Sequence, residues 1–221
     1  MASAWHHCNC ANLPYRYVEM PSQPPSRDDV VEILESIISS SEFCDAVAGS
    51  SYWHPLGFFK CVVPGQVDGR FIRIHYWPPM AHVMEDVHSH RSGFVSSVMY
   101  GSITQEKFEL VCGDELKLVE YKYNLTGEAS AEQVGFRNLR LTERRQLDAG
   151  SHYFIEASEL HRIRVSEQGA VTASAWEVPV AVALVLKERD SSVEDCCHRG
   201  LCDSEDLIEI ATQIKLRIVE P

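Results

Sequence analysis

A chain of 221 residues with 45% apolar content is long enough to bury a sizeable core as an ordinary globular protein. Thirty-two acidic against twenty basic residues give a formal charge of −12, which repels phosphate backbones and anionic membrane surfaces, so neither nucleic acid nor membrane is an expected partner. The longest apolar run, VPVAVALVL at 178–186, falls well short of the ~20 residues a bilayer-spanning helix needs.

The start, MASAWHHCNCANLPYRY, has no basic segment followed by an apolar stretch, and a cytoplasmic location is the expectation. Eight cysteines in such a chain are expected to remain thiols. HHCNC, with Cys8 and Cys10, and DCCHRGLC, with Cys196, Cys197, His198 and Cys202, would together supply a structural zinc site were the two ends to meet. Neither half has a paired CxxC, which favours separate thiols. The proline-rich MPSQPPSRDD leads into a helix: Ser26 and Asp29 have the spacing of a capping pair, and Val30, Ile33, Leu34, Ile37 and Ile38 share a helical face up to the serines at 39–41.

From about 57 to 187 the texture becomes β. Runs such as FFKCVV, RFIRIHYW, GFVSSVMY, FELVC, LKLVEYKYNL, HYFIEA, HRIRV and AVTASAW are separated by turn signals PGQVDG, CGD, LTGE, DAGS and EQGA. There is no GxGxxG, no P-loop and no alternation with long helices, which removes dinucleotide and NTPase readings. At the end, Leu207, Ile208, Ala211 and Ile214 predict a short helix capped near Ser204, with IKLRIV returning as an edge strand. The expected organisation is one domain over 1–221: a lead-in and helix at 1–50, a β-barrel at 51–188 and a C-terminal extension at 189–221.

VHSHRSGF at 87–94 carries the candidate chemistry. On a strand, side chains two apart project the same way, so His88 and His90 would form one half of a metal clamp. Alone, such a pair is also an acceptable polar loop. His161 in ASELHRIRV opens a strand some seventy residues later and is the candidate third ligand. His152 in AGSHYF follows a glycine turn and reads as a rim residue.

These stretches resemble the cupin superfamily and, within it, thiol dioxygenases of the cysteine dioxygenase type. VHSHRSGFVSSVMYGSI resembles the first cupin motif, closing at Gly101, and GSHYFIEASELHRI the second, including His161. FFKCVVPGQVDGRFIRIHYW is similar to the family's strand, turn, strand segment ending at Trp77. The resemblance spans about residues 50–180. It implies an all-β cupin (RmlC-like) jelly-roll barrel with N-terminal helices and a short C-terminal helix. Phe94 and Val95 stand where many cupins place a glutamate, as in the three-histidine thiol dioxygenases.

The resemblance implies His88, His90 and His161 as metal ligands, iron(II) as the expected metal, with nickel, manganese or zinc chemically admissible, and O2 as co-substrate. Three neutral imidazoles leave a divalent ion its full charge, which favours an anionic ligand such as a thiolate. The implied activity is oxidation of the sulfur of cysteine or a related small thiol or amino thiol to a sulfinate or a further oxidised product, by a monomer or homodimer. A three-histidine oxygenase acting on a non-thiol substrate and a non-catalytic ligand-binding cupin are the alternatives. His90, where 2-oxoglutarate oxygenases use aspartate, disfavours that class.

The sequence also departs from the family. Lys60 stands at the arginine that grips the substrate carboxylate, offering a point charge in place of a fork, with Arg73 and Arg91 as replacements. Val95 and Val178 occupy the approximate positions of a cysteine–tyrosine crosslink, and Trp176 that of a histidine near the metal. Lys60 and Trp176 are therefore the candidate catalytic residues, and Lys60, Tyr76, Phe94, Arg91 and Trp176 the candidate substrate contacts. Trp77 and Tyr100 are further candidate pocket aromatics, with ordinary core packing the alternative for such rings, and Glu85 and Asp86 are either partners for a ligand histidine or a solvated acidic loop.

Overall fold

The structure is a computed structural model, and it describes residues 23–54, 57–65, 71–80, 85–123, 129–177, 182–193 and 200–220. Cys8, Cys10, Cys196, Cys197, His198 and Val178, and with them the two-ended zinc expectation, lie outside the described residues.

Helix α1 (Arg27–Ser39) starts on the expected capping box: the Ser26 hydroxyl accepts the Asp29 N–H at 3.1 Å and the Asp29 carboxylate accepts the Ser26 N–H at 2.9 Å. Val30, Ile33, Leu34 and Ile37 are buried as the pattern requires, whereas Ile38 turns out to be exposed. A second helix, α2 (Ser41–Ala48), follows at once, capped by Ser40, where the sequence suggested only a serine break. The C-terminal segment is a correction. α3 (Ser204–Val219) is one continuous helix capped by Asp203, and IKLRIV is its last part and not an edge strand. Leu207, Ile210, Ala211, Ile214 and Ile218 are all buried, so a 3.6-residue period runs through to the end. None of the described helices is long and apolar enough to cross a membrane.

The strands are β1 (Tyr52–Trp53), β2 (Phe59–Val62), β3 (Phe71–Trp77), β4 (Val87–His88), β5 (Phe94–Tyr123), β6 (Ala129–Asp148), β7 (His152–Ile155), β8 (Leu160–Trp176), β9 (Ala183–Glu188) and β10 (Gly200–Leu201). Antiparallel pairing runs β10-β1-β2-β3-β8-β4-β9-β5-β6, with β7 on β5. β8 also pairs with β5, so the path β8 to β4 to β9 to β5 returns to β8 and the sheet closes on itself. The expected all-β barrel with flanking helices is therefore present.

Two expected turns are not turns. CGD lies inside β5 and EQGA inside β8. In β5 the register slips between Val111 and Leu116, and in β8 Gly169 takes φ +77, so each strand bends where the sequence signalled a break.

Alternation sorts the strand residues between two cores. Phe59, Cys61, Ile72, Ile74, Tyr76, Val171, Ala173 and Ala175 pack with the three helices. Phe58, Trp77, Phe94, Tyr153, Ile155, Ala170 and Trp176 form a second cluster inside the barrel. By parity Lys60, Arg73 and His75 belong to that interior face. Two glycines make the wall close: a Cβ on Gly101 would lie 2.2 Å from the Gly169 carbonyl oxygen, and one on Gly169 would lie 2.5 Å from that of Trp77.

Outside the barrel, Glu106 is fully buried beneath three arginines. It bonds Arg162 and Arg144, the latter at 2.6 Å, and Arg164 lies at 3.4 Å. Burial alone would raise this carboxyl, but the two hydrogen bonds and the charges of Arg162 and Arg164 outweigh it and hold it below the usual range. Glu106→Ala is expected to cost about 3 kcal/mol in urea unfolding, because three like charges lose their shared counter-ion. A change below about 0.5 kcal/mol would show that solvent already screens the group.

Candidate metal centre

Three histidines from separate parts of the chain converge at one end of the interior. His88 sits on β4 directly opposite His161 on β8, so strand register itself brings the two together. His90 lies just beyond β4, held by its N–H to the Ala157 carbonyl at 2.9 Å. The ring centroids are 4.7 Å (His88–His90), 4.9 Å (His88–His161) and 5.0 Å (His90–His161) apart. One ring nitrogen from each falls within 4.8 Å of the others.

This set fits a divalent ion. Two nitrogens each about 2.1 Å from a metal, at right angles, lie about 3 Å apart, and His90 Nε2 lies 2.8 Å from His161 Nε2. His88 Nδ1 is 2.8 Å from the Asp86 carbonyl, an arrangement that fixes the N–H on Nδ1 and leaves Nε2 as the ligand atom. Burial pushes His90 and His161 well below the usual histidine range, with the charge of neighbouring His88 adding to it, so both rings are neutral and able to ligate. His161 is buried, and its Nδ1 has no partner among the described residues.

Of the acidic pair before the histidines, only Asp86 partners a ligand histidine, and it does so through its backbone. Asp86 contributes its backbone carbonyl, while its carboxylate lies 3.6 Å from Lys187. Glu85 accepts the Ile163 N–H at 3.0 Å and so pins β8 two residues after His161. His152 bonds Ser97 at 2.9 Å and stays outside the cluster, as its glycine turn implied.

Trp176 and Phe94 are at the site. Both rings meet His90 edge to face at 5.0 Å and stack on each other at 4.2 Å. The Trp176 N–H donates to the Ser174 hydroxyl at 2.7 Å, which in turn donates to the Arg73 carbonyl, so the indole is fixed and its donor engaged. Lys60 lies on the interior face with its ammonium 5.1 Å from the Phe58 ring. Arg91 is half-buried in the bend after His90.

One candidate substrate contact, Tyr76, and one candidate pocket aromatic, Tyr100, are corrected. Tyr76 faces the helices, its hydroxyl 3.3 Å from Gln213, and Tyr100 packs on the same outer core, accepting from Arg217. Adjacent strand residues cannot both face inward, and Trp77 takes the interior side at that point.

Sequence reasoning did not single out His75, Ser174 or Tyr153. His75 stands on the interior face between Phe58 and Trp77, 6.0 and 5.6 Å away. Burial, then the charges of Lys60 and Arg73, keep it neutral. Tyr153 is buried beside Ser96 and Thr172, with its hydroxyl pushed up to about 12, mainly by burial. The two-residue periods of RFIRIHYW and TASAW were the available signals for His75 and Ser174.

No protein-family profile matches the chain, and no curated protein matches its sequence. Solved structures overlap it in part. A structure of the DMSP lyases RdDddP and RnDddQII is 16% identical over 55% of this chain and 47% of that one, with a TM-score of 0.33. Hydroxypropylphosphonic acid epoxidase from S. wedmorenis, in complex with fosfomycin, is 9% identical over 54% of this chain and 51% of that one, at 0.34. Hydroquinone 1,2-dioxygenase PnpCD, in complex with Cd2+ and 4-hydroxybenzonitrile, is 16% identical over 77% and 86%, at 0.37. The chain thus spans about half the length of the first two, and at these TM-scores the overlaps carry no weight beside the chain's own residues.

Proposed function

We propose that this chain is a cupin-type, three-histidine iron(II) enzyme that uses O2 to oxidise the sulfur of a small anionic thiol. The observation that supports it is the convergence of three imidazoles, with no carboxylate in the cluster among the described residues, on the same interior that carries Lys60 and Arg73. A divalent ion held by His88, His90 and His161 would stabilise a bound thiolate and offer open positions to O2.

The remaining work falls to the chain. Lys60 attracts the acid end of the substrate, and the Phe94–Trp176 stack walls the reacting sulfur from water. Trp176, with its N–H committed to Ser174, acts as a rigid wall and transfers no proton. The overall change is RSH + O2 to RSO2H: both oxygen atoms form bonds to sulfur, sulfur gives four electrons, O2 accepts them and the proton ends on the sulfinate.

Anaerobic titration of the Fe(II)-loaded protein with cysteine, cysteamine and 3-mercaptopropionate tests this reading. A thiolate-to-metal absorption band followed by stoichiometric O2 uptake and a product heavier by two oxygen atoms is expected with at least one acid thiol. Binding without O2 uptake would leave a ligand-binding module. Lys60→Met is expected to raise the half-saturating thiol concentration about tenfold, the loss of one charge-assisted contact, with metal content unchanged. An unaltered half-saturation would remove Lys60 from the site.

A further inference from the structure

The outer ring nitrogens of the histidine cluster are not held alike. His88 has the Asp86 carbonyl 2.8 Å from its Nδ1. His161 turns its Nε2 toward His90, and hence toward an ion, while its Nδ1 is buried with no partner among the described residues. A ligand histidine whose Nε2 is bound to metal carries its proton on Nδ1, and that N–H ordinarily donates to an acceptor that fixes the ring. The acceptor for His161 has to be sought on the strand beside it.

That strand is β5. From Ile103 to Phe108 its register with β8 is unbroken, with Ile103 opposite Val165, Gln105 opposite Ile163 and Lys107 opposite His161. Residues paired in this way share a face, and Ile103 and Ile163 belong to the core inside the barrel. Gln105 therefore projects into the same interior, one diagonal step from His161. Such neighbours lie roughly 7–8 Å apart at the backbone, within reach of a long side chain. Glu106, one residue on, points the other way, to its arginines.

Gln105 is out of place as a packing residue. It is 1% exposed, and neither its amide oxygen nor its amide nitrogen has a partner among the described residues. An amide buried in this way costs free energy that a leucine or methionine among Ile103, Leu147 and Ile163 would not. The two orphaned groups are complementary: His161 has an N–H to give, and Gln105 an oxygen to receive it. Two other side chains beside His161 serve less well. Lys107 is a donor only. Glu159 offers a second orphaned acceptor, its Oε1, but its side chain is 23% exposed and its Oε2 is held by Lys107 at 2.8 Å.

We infer that Gln105 is the positioning residue of the third metal ligand: its amide oxygen accepts the His161 Nδ1–H, directly or through one buried water, once Nε2 is bound to the ion. This rests on the three-histidine metal centre proposed above and not on the thiol or on O2. Gln105 acts through His161, fixing its tautomer and ring orientation and raising the basicity of its Nε2.

The test measures Zn(II) affinity by competition with a chromophoric chelator, beside the thermal midpoint of the metal-free protein. Gln105→Met, similar in volume, is expected to weaken Zn(II) binding about tenfold or more, the worth of such a partner. The metal-free midpoint should stay unchanged or rise, because two unsatisfied buried groups are removed. Gln105→Glu keeps an acceptor and should recover the affinity. A glutamine that only packs would instead lose affinity and midpoint together. That joint loss, wild-type affinity in Gln105→Met, or a loss that Gln105→Glu does not restore would each overturn the inference. So would a loss in Glu159→Leu with none in Gln105→Met, which would give the role to that carboxylate. His161→Ala separates the two levels. If it binds Zn(II) as the wild type does, the metal centre is lost and the inference with it; if it loses the ion while Gln105→Met keeps it, only the inference fails.

Discussion

Replacing His161 with alanine is expected to weaken metal binding by at least about a hundredfold and to abolish O2-dependent turnover, while the barrel stays folded. His161 is the buried member of the triad, and the register that sets it opposite His88 is a backbone property that survives truncation. The two imidazoles left behind are half-buried and give an ion only a bidentate hold. Fold retention has its own argument. The ring leaves a cavity when removed, but its Nδ1 is a buried polar atom with no partner among the described residues, and deleting it relieves a desolvation cost that offsets part of the cavity. Elemental analysis beside far-UV circular dichroism reads both halves. His152→Ala is the control and should keep its metal, since His152 bonds Ser97 instead. Equal metal content in wild type and His161→Ala would end the ligand assignment.

The second large effect concerns the glycine contact in the barrel wall. Gly101→Ala is expected to cost about 4 kcal/mol or more, enough to leave the protein largely unfolded or insoluble at 37 °C. Two penalties combine there. Gly101 has φ +72, a region in which an L side chain costs roughly 1–2 kcal/mol, and its Cβ would sit 2.2 Å from a backbone oxygen that cannot swing away. Gly150→Ala separates the two terms. It has φ +89 but nothing within 4 Å of the added carbon, so only the conformational part applies, about 1 kcal/mol. Chemical denaturation of both variants should rank them in that order, and similar losses would show that backbone conformation alone explains the effect.

The centre of the candidate site was legible in the sequence chiefly through register: His161 opens a strand, and β8 pairs with β4 so that it falls opposite His88. The expected strand parity does not extend to His90, which lies past the end of β4 and is placed by its N–H to the Ala157 carbonyl. The same parity could have settled the aromatics. In RFIRIHYW, Tyr76 shares a face with Ile72 and Ile74, and only the opposite face carries Arg73, His75 and Trp77. What the sequence leaves open is which face looks inward, because that depends on where the helices dock.

The parts misread are those where local signals compete with tertiary pairing. Gly113 and Gly169 resemble turn residues, yet the neighbouring strands continue past them and absorb the irregularity as bends. β6 went unseen because ASAEQVGFRNLRLTERRQLD has little apolar alternation; its pairing with β5 and not a buried face defines it. The helical reading of IKLRIV was masked by its β-branched residues, whose propensity is overridden by the stripe facing α1.

That unseen strand has a consequence for how the protein behaves in company. Among the described residues β6 pairs only with β5, which leaves a rim of unmet backbone donors and acceptors along twenty residues. Such a rim is a template on which other chains can polymerise. Glu132, Arg137, Arg140, Glu143, Arg144, Arg145 and Asp148 recur along it. An incoming copy would have to strip their hydration to dock, so the low apolar content that hid β6 from pattern reading also serves as its protection against fibril growth.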